Sequence, residues 1–334
     1  MFKKKKQELN LNTTPSSDAQ QFTAVLDEVE QYKNQHMQEP VLPVSSATAI
    51  TQMIIDDDGS NYEFDNSYTS DSNLGLNNNI VVNVGVASHI GTRKSQQDSL
   101  IIGIGNNIAP EFNGKFIAAV CDGMGGLQGG ETASALCAKI FFEDFFSLPG
   151  LSDYPRFYKS VIDKIDESVA SLRNEKGELM KAGSTFVSMI VDCGSLYWGC
   201  VGDSHMYIVR NSEIVQVNRD HNYMLILKEQ VKLGEITMQE AESNKHKDAL
   251  ISYMGMNGVK YMDVNEKPFR LMPNDSVILC SDGLYRLLSD SEILTILNMY
   301  PTNMNLAANA MVDAACGKMA PHQDNTSVII FKYM

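Results

Sequence analysis

Five aspartates lie at the ends of predicted β-strands, where their carboxylates could act together. Carboxylates gathered at one edge of a sheet repel each other and resist desolvation, so they need cations nearby. Ligand sets made only of oxygen suit hard ions such as Mg²⁺ or Mn²⁺. A single strand-end aspartate is more often a turn or helix cap, so the prediction of a metal site depends on the whole set. The five are Asp98, Asp122, Asp203, Asp282 and Asp324.

The stretch around Asp122 is rich in glycine. It reads AAVCDGMGGLQGGETAS over residues 118–134, an apolar run followed by the carboxylate and then by glycines. Glycine lets the backbone come close to a bound group, so a main-chain carbonyl here could also bind a metal ion. Two ions about 4 Å apart can share a bridging water and lower its pKa, which makes a hydroxide that attacks a phosphate ester. We therefore expect Asp122 to bridge two ions and the glycines to make room for them.

The composition of the chain limits the function classes. The 334 residues include 27 Lys and Arg against 41 Asp and Glu, and the formal net charge of −14 disfavours binding to nucleic acids. The sequence has no run of about 18 apolar residues, so we predict no membrane span. The basic start MFKKKK is not followed by the apolar stretch of a secretory signal. Six cysteines without a C-x-x-C pair indicate buried thiols in a reducing compartment, and we expect a cytoplasmic protein.

Residues 1–79 differ in composition from the rest of the chain. The part from about residue 40 to 79 is crowded with Asp, Asn, Ser and Gly, which cannot bury enough apolar surface to offset the entropy lost on ordering. Before it, residues 18–37 fit either an amphipathic helix that docks on a partner or a disordered tail with weak helicity, and we favour the tail. We therefore predict a flexible N-terminal extension over 1–79 that could include one short helix.

From residue 80 the pattern changes to short strands and longer helices. Apolar runs such as IVVNVGVASH and TSVIIFKY are rich in β-branched residues, and many such runs lie only a few residues apart, which favours antiparallel hairpins. GETASALCAKIFFEDFFS and RFYKSVIDKIDESVASLRN repeat apolar residues at helix spacing. Helices grouped between blocks of strands predict an α+β domain over 80–334, with two packed antiparallel sheets and helices outside.

The motifs of this region resemble, in their order, those of the metal-dependent protein phosphatases of type 2C, in their bacterial form. The resemblance runs from about Gly85 to Phe331. Each motif alone is modest evidence, and the weight lies in their number and order. The motifs are Arg93 followed by Gln97-Asp98, D-G-M-G-G at 122–126, G-E-T-A-S at 130–134, G-S-T at 183–185, V-G-D-S at 201–204, D-H at 220–221, S-D-G-L at 281–284 and D-N at 324–325.

The resemblance implies a four-layer α-β-β-α sandwich that binds two or three Mg²⁺ or Mn²⁺ ions. It also implies a role for each matching position. The metal ligands would be Asp122 as the bridging residue, Gly123 through its carbonyl, Asp282 and Asp324 at the first ion, and Asp203 at a third.

Two further positions would serve catalysis. Asp98 would hold water beside the metals, and Arg93 would bind the substrate phosphate through its planar guanidinium. The resemblance also implies a polar, helical flap over about residues 221–251, which is expected to be a mobile surface insertion.

Three positions depart from the family pattern. Gln97 replaces an acidic residue, which predicts weaker binding of the second metal ion. His205 replaces an arginine, and we expect a structural role for it. Ser252 stands where many relatives carry an arginine, which predicts an altered grip on the substrate near the flap.

The resemblance implies a protein serine/threonine phosphatase in which a metal-bridging hydroxide attacks phosphorus directly. Its partner would be a phosphorylated protein, the substrate of a cognate Ser/Thr kinase, and the enzyme is expected to act as a monomer. One alternative is a pseudophosphatase that binds phosphoproteins as a scaffold, which Gln97 supports. Another is a phosphoesterase for small molecules. The sequence does not identify a general acid, and His322 is only a weak candidate.

Overall fold

The apolar runs of the sequence form two antiparallel β-sheets. The computed structural model of the protein describes residues 73–77, 80–124 and 129–334. The strands in these residues are β1 Asn73–Asn77, β2 Ile80–His89, β3 Asp98–Ile104, β4 Lys115–Met124, β5 Gly183–Ser184, β6 Phe186–Asp192, β7 Ser195–Val201, β8 His205–Arg210, β9 Glu213–Gln216, β10 Asp263–Val264, β11 Phe269–Arg270, β12 Ser276–Cys280 and β13 Thr326–Tyr333.

The strand order differs from the chain order in both sheets. The first sheet has the order β1-β2-β13-β12-β8-β9. The second has the order β10-β7-β6-β4-β3, with β11 also pairing with β7 and β5 with β4. All neighbouring strands run antiparallel, so each end of a sheet collects the beginnings of some strands and the ends of others.

Helices occupy the connections between the strands. Three of them begin at polar N-cap residues: Asp153 and Asn303 each accept a backbone N–H, and Ser289 forms a capping box with Glu292. Among the described helices, none is long and apolar enough to cross a membrane. The helices are α1 Gly105–Ile108, α2 Gly130–Phe146, α3 Tyr154–Ala170, α4 Tyr223–Lys232, α5 Met238–Ser243, α6 Asp282–Tyr285, α7 Asp290–Met299 and α8 Met304–Gly317, with a 3₁₀ turn at Pro110–Phe112.

Three apolar clusters divide the domain into four layers. One cluster lies between the two sheets and includes Phe116 and Phe331, whose ring centroids are 4.8 Å apart. A second joins α2 and α3 to the outer face of the second sheet, and a third joins α6, α7 and α8 to the outer face of the first. The predicted α-β-β-α sandwich is confirmed.

The described residues correct the predicted N-terminal extension at its end. Asn73–Asn77 was part of the expected flexible linker, but it pairs with β2 as the edge strand of the first sheet. The sequence NLGLN has no continuous apolar run that would predict a strand, but its backbone pairs with the edge of β2. The possible helix over residues 18–37 and the rest of the extension up to residue 72 lie outside the described residues, as do Gly125 and Gly126 of the D-G-M-G-G motif.

The predicted flap is a pair of helices whose two ends meet. The segment 221–251 contains α4 and α5, and Asn222 and Leu250 form an isolated bridge at its base. Leu227 and Ala241 are buried, so the two helices share a small apolar contact. The backbone N–H of Ile251 donates to the carbonyl of His221 at 2.9 Å, which closes the base.

A buried carboxylate connects α3 to the segment that follows the flap. Asp166 is 2% exposed, and its oxygens accept three backbone N–H groups. The adjoining residue Met254 pairs with Ser184 on β5 through two backbone hydrogen bonds of 2.8 and 3.1 Å. Asp166 therefore anchors this segment between the outer helices and the second sheet. The donors are Gly255 at 2.7 Å, Met256 at 2.8 Å and Gly258 at 2.5 Å.

We expect Asp166→Asn to lower the free energy of unfolding by about 1–3 kcal/mol, because the amide has a single acceptor oxygen and no charge. Urea denaturation followed by circular dichroism measures the change. Asp163→Asn is the matched control on the exposed side of the same helix and should stay within about 0.5 kcal/mol of wild type. Equal stability of the two variants would contradict the anchoring role.

Candidate metal centre

Two of the predicted site residues face each other across neighbouring strands. Asp98 begins β3 and Asp122 lies near the end of β4, and their Cα atoms are partners in the antiparallel register. The backbone of Asp122 is fixed on its other side by Thr185. Its N–H donates to the Thr185 hydroxyl at 2.9 Å, and its carbonyl accepts from the Thr185 N–H at 2.8 Å. The apolar run before Asp122 is buried, so folding of β4 brings the carboxylate to the rim of the second sheet.

The first sheet supplies its own aspartates to the same end of the sandwich. Asp282 follows β12 and opens α6, and Asp324 precedes β13. Ser281 connects the two sheets here, because its hydroxyl donates to Oδ2 of Asp98 at 2.8 Å while its N–H donates to the carbonyl of Ser327 at 3.1 Å.

The fifth aspartate lies in the tight connection from β7 to β8. Asp203 is 5% exposed and follows Gly202, which has φ of +104°. A side chain at Gly202 would be strained in this conformation and would come within 2.7 Å of Thr185. The glycine therefore allows the turn that carries Asp203 inward.

The structure brings the five predicted aspartates together at one end of the sandwich. We refer to them as the acidic cluster. The charges of the other four members all raise the pKa of Asp122. The cluster consists of Asp98, Asp122, Asp203, Asp282 and Asp324.

Burial is the main cause of the perturbed ionisation in the cluster. Burial, followed by the charges of Asp282 and Asp324, raises the pKa of Asp98 to about 7 even though two serine hydroxyls donate to it. Burial and then the charge of Asp282 raise the pKa of Asp203 to about 7. Burial also raises the pKa of Asp122 well above its usual range, and the other four carboxylates add to that rise. Burial and the repulsion between carboxylates therefore favour the protonated forms of Asp98 and Asp203 near neutral pH.

Two buried oxygen atoms of the cluster have no hydrogen-bond partner. They are Oδ1 of Asp98 and Oδ1 of Asp282. A buried carboxylate oxygen without a donor is costly, and a hard cation would satisfy it. The donor set consists of oxygens alone, so it fits Mg²⁺ or Mn²⁺ rather than a thiolate-binding metal.

Arginines now face some of the oxygens that a metal ion would need. Among the described residues, no group of three or more His, Cys, Asp or Glu side chains is arranged as a ready-made ligand set for an ion. Nη2 of Arg93 lies 2.5 Å from Oδ2 of Asp324. Nε of Arg286 lies 3.1 Å from Oδ2 of Asp282. Metal binding therefore requires these side chains to turn away from their arginines.

Sequence reasoning placed Arg93 near the cluster and missed Arg286. The signal for Arg286 was its spacing, because it lies one helical turn after Asp282 in SDGLYR. Ser281, the donor to Asp98, was part of a motif but had no predicted role.

The expected reason for the glycine after Asp122 is wrong in part. A Cβ atom at Gly123 would lie 2.1 Å from the carbonyl oxygen of Gly130, at the start of α2. The space beside Gly123 is therefore taken up by the helix and not kept free for metal ions. The Gly123 N–H donates to the carbonyl of Gln97 at 3.0 Å. This bond holds the end of β4 next to Gln97, the residue that replaces an acidic residue of the family pattern.

The side chain of Gln97 adjoins the same helix start. A Cβ atom at Gly130 would come within 2.6 Å of Nε2 of Gln97. The Gln97 carbonyl accepts from the Ser134 hydroxyl at 2.6 Å, and its N–H donates to Oδ1 of Asn325 at 2.8 Å. The backbone of Gln97 is therefore bonded to Gly123, and its side chain lies against Gly130.

His205, which replaces an arginine of the family pattern, has a structural role. Nδ1 of His205 lies 2.7 Å from the hydroxyl of Tyr207, and Nε2 lies 2.9 Å from Asp220. Its ring stacks on Tyr285, with centroids 3.5 Å apart. These contacts fix the start of β8 beside Asp203.

The remaining candidates also make structural contacts or lie at the surface. Nδ1 of the buried His221 accepts the N–H of Gly202 at 3.2 Å. The hydroxyl of Ser252 donates to the carbonyl of Tyr261 at 2.7 Å, so it closes a local turn. His322 is exposed and has φ of +61°.

The raised pKa of Asp98 predicts that metal-free stability falls with rising pH. Its ordinary value is 3.8 and its folded value is about 7, so the folded protein holds more protons than the unfolded chain between these values. This contribution to stability is complete below pH 4 and lost as the pH rises to about 7. With EDTA present, Asp98→Asn should reduce the loss between pH 5 and 7.5 by on the order of 2 kcal/mol.

Urea denaturation at both pH values measures this difference. Asp313→Asn, at an exposed position on α8, is the matched control and should follow wild type. A pH dependence that Asp98→Asn leaves unchanged would show that Asp98 has an ordinary pKa.

Comparisons with known proteins agree with this geometry. The family model described as Protein phosphatase 2C matches residues 82–225. The serine/threonine phosphatase stp of Listeria welshimeri is 25% identical over 217 residues, which are 64% of this chain and 83% of that protein. The serine/threonine protein phosphatase PstP of Mycobacterium tuberculosis is 26% identical over 226 residues, or 67% of this chain and 42% of that protein.

Solved structures share the fold. The S. agalactiae serine/threonine phosphatase superposes with a TM-score of 0.64 at 22% identity, covering 75% of this chain and 98% of that one. The catalytic domain of PstP in complex with two manganese ions has a TM-score of 0.59 at 23% identity, covering 76% and 99%. The motifs, the fold and the relatives agree: residues 82–225 match the protein phosphatase 2C family model, and the chain is similar in sequence and in fold to bacterial phosphatases of this type.

Proposed function

We propose that the chain is a metal-dependent protein phosphatase that hydrolyses phosphoserine and phosphothreonine in proteins, by direct attack of water on phosphorus and without a covalent phosphoenzyme. The observation that carries the proposal is the acidic cluster, with its two unpartnered buried oxygens, at one end of a protein phosphatase 2C domain. The relatives with matching motifs are named as serine/threonine phosphatases.

The proposed cofactors are two or three Mg²⁺ or Mn²⁺ ions. An oxygen-only donor set and the manganese ions of the PstP catalytic domain support this choice. When bound, the ions would lower the pKa of water and offset the negative charge of the phosphoryl group. Asp122 would serve more than one ion, as the resemblance implies, and it faces Asp98 across β3 and β4. The proposed ligands are Asp122, the carbonyl of Gly123, Asp282, Asp324 and, for a third ion, Asp203.

Two side chains would act on the substrate and on water. Arg93 is half exposed and uses Nη2 on Asp324, so its remaining N–H groups could bind two oxygens of a phosphate. Asp98 is held by the Ser281 hydroxyl and keeps one oxygen unpartnered, so it could orient water or hold a proton near neutral pH. We propose no other general acid.

The pseudophosphatase alternative rests on Gln97 alone. Every other expected carboxylate is present and belongs to the acidic cluster, and the named relatives are phosphatases. A neutral residue at position 97 removes one negative charge from the site, which weakens metal binding without abolishing it. The chain is therefore proposed to be an active enzyme.

The proposed partner is a phosphoprotein, the substrate of a cognate Ser/Thr kinase. A formal net charge of −14 argues against nucleic acid as the substrate carrier. All six cysteines lie in the described residues as free thiols, which fits a reducing compartment such as the cytoplasm. We further propose that the enzyme acts as a monomer.

The activity is tested with Mn²⁺, an aryl phosphate and a phosphothreonine peptide. Wild type should hydrolyse both at millimolar Mn²⁺. Asp282→Asn should lower kcat/KM by about 100-fold or more, because it removes a charged metal ligand. Asp313→Asn on the exposed side of α8 is the control.

The outcomes separate the three functions. No turnover by wild type would favour the scaffold. Turnover of the aryl phosphate with the peptide ignored would favour a small-molecule phosphoesterase.

Gln97→Glu should restore a negative charge next to Gly123 and so raise the apparent affinity for Mn²⁺ by about tenfold. The dependence of the initial rate on Mn²⁺ concentration measures this affinity. Gln239→Glu, on the exposed face of α5, controls for the change in net charge. The same half-saturating Mn²⁺ concentration in all three proteins would mean that position 97 lies outside the metal site.

A further inference from the structure

One guanidinium spans two carboxylates of the acidic cluster. Nε of Arg286 lies 3.1 Å from Oδ2 of Asp282, and Nη2 lies 3.6 Å from Oδ2 of Asp203. The side chains of these aspartates are 15% and 7% exposed, whereas that of Arg286 is 51% exposed. The arginine therefore covers the solvent side of this edge of the cluster and presents its charge inward.

The position of Arg286 is fixed by its own helix and by a stacked ring. Its N–H donates to the carbonyl of Asp282 at 3.1 Å, so the two side chains leave the same helical turn. The preceding residue, Tyr285, stacks on His205 with an interplanar angle of 9°. His205 is itself held by Tyr207 and Asp220. The contact between Arg286 and the cluster thus belongs to a packed arrangement.

The charge of Arg286 opposes the effect of burial on both aspartates. Burial is the first cause that raises the pKa of Asp282 and of Asp203, and Arg286 lowers both. A guanidinium stays protonated throughout the pH range in which proteins fold. The arginine is therefore a permanent positive charge in a region where divalent cations would also have to bind.

A metal ion at this edge would compete with the arginine for the same oxygens. Oδ2 of Asp203 and Oδ2 of Asp282 both face the guanidinium of Arg286. A divalent ion bound to either oxygen at the usual distance of about 2.0–2.6 Å would lie close to the positive charge of the guanidinium and be repelled by it. The guanidinium can move away only by giving up both carboxylates. The opposite edge of the cluster, around Asp122, has no contact of this kind with Arg286 among those that the structure describes.

We propose that Arg286 is a built-in counter-cation that takes the place of a divalent ion between Asp203 and Asp282, so that the wild-type chain binds two ions tightly and a third tightly only when Arg286 is removed. This inference rests on the proposed metal site and is independent of the identity of the substrate. Arg286 acts on the ions through the carboxylates and is in this sense a positioning residue.

The test counts Mn²⁺ bound to the full-length, metal-stripped chain. Free Mn²⁺ is followed by electron paramagnetic resonance, and heats of binding by calorimetry. We expect two tightly bound ions in wild type. Arg286→Gln should bind a third ion at least tenfold more tightly than wild type does, and Arg286→Lys should stay closer to wild type because it keeps the charge. Arg156→Gln, at an exposed position on α3, is the matched control and should bind two ions.

A second variant keeps the inference testable if Arg286→Gln folds poorly, which circular dichroism in EDTA would reveal. Asp203→Asn leaves the arginine in place and should still bind two ions tightly, because that edge holds no tight ion in wild type. Loss of a tight ion in Asp203→Asn, three tight ions in wild type, or equal binding in wild type and Arg286→Gln would overturn the inference.

The same measurements separate this inference from the proposed function. If wild type and Arg286→Gln bind two ions equally and hydrolyse the phosphothreonine peptide, only the role of Arg286 fails. If no variant binds Mn²⁺, both proposals fail together.

Discussion

The mutual repulsion of carboxylates buried at one end of the sandwich is the constraint on which the rest of this structure depends. Between the two sheets the main contact is a cluster of apolar side chains, which need no partner but each other. At this end the strands stop, and the acidic cluster replaces the apolar core. Burial raises the pKa of its members, so charge and packing work against each other here. The carboxylates can be buried at this end only because other groups offset their repulsion and their loss of hydration.

Three kinds of compensation operate in the protein itself. Hydroxyl donors such as Ser281 hydrogen-bond a carboxylate without changing its charge. Protons neutralise single groups, as the pKa of about 7 for Asp98 indicates. Arg93 and Arg286 bring full positive charges but reach only the exposed side of the cluster. Two carboxylate oxygens remain unpartnered despite all three, and a small divalent cation is the group that could reach them.

The sequence predicted much of this arrangement because its signals were local. Runs such as IVVNVGVASH have the bounds of β2, since a run rich in β-branched and apolar residues favours a strand. Edge strands such as Asn73–Asn77 and the two-residue strands β10 and β11 have no such run, because backbone pairing alone defines them. Gly123 was predicted to matter, but the reason, a helix start packed against it, is a tertiary contact. The role of Arg286 was not predicted from the sequence, because the partner of a surface arginine can be identified only once the direction of its helix is known.

Two features of the site change its charge in the same direction. Gln97 replaces a negative charge of the family pattern, and Arg286 adds a positive charge that faces Asp203 and Asp282. The affinity for divalent ions rises with the negative charge of their ligands, so both features would weaken ion binding by the acidic cluster. They act at opposite edges, because Gln97 adjoins Gly123 and Arg286 covers Asp203. Among the described contacts, Arg286 reaches Asp203 and Asp282 and does not reach Asp122, so the proposed ions at Asp122 are those that would remain favoured.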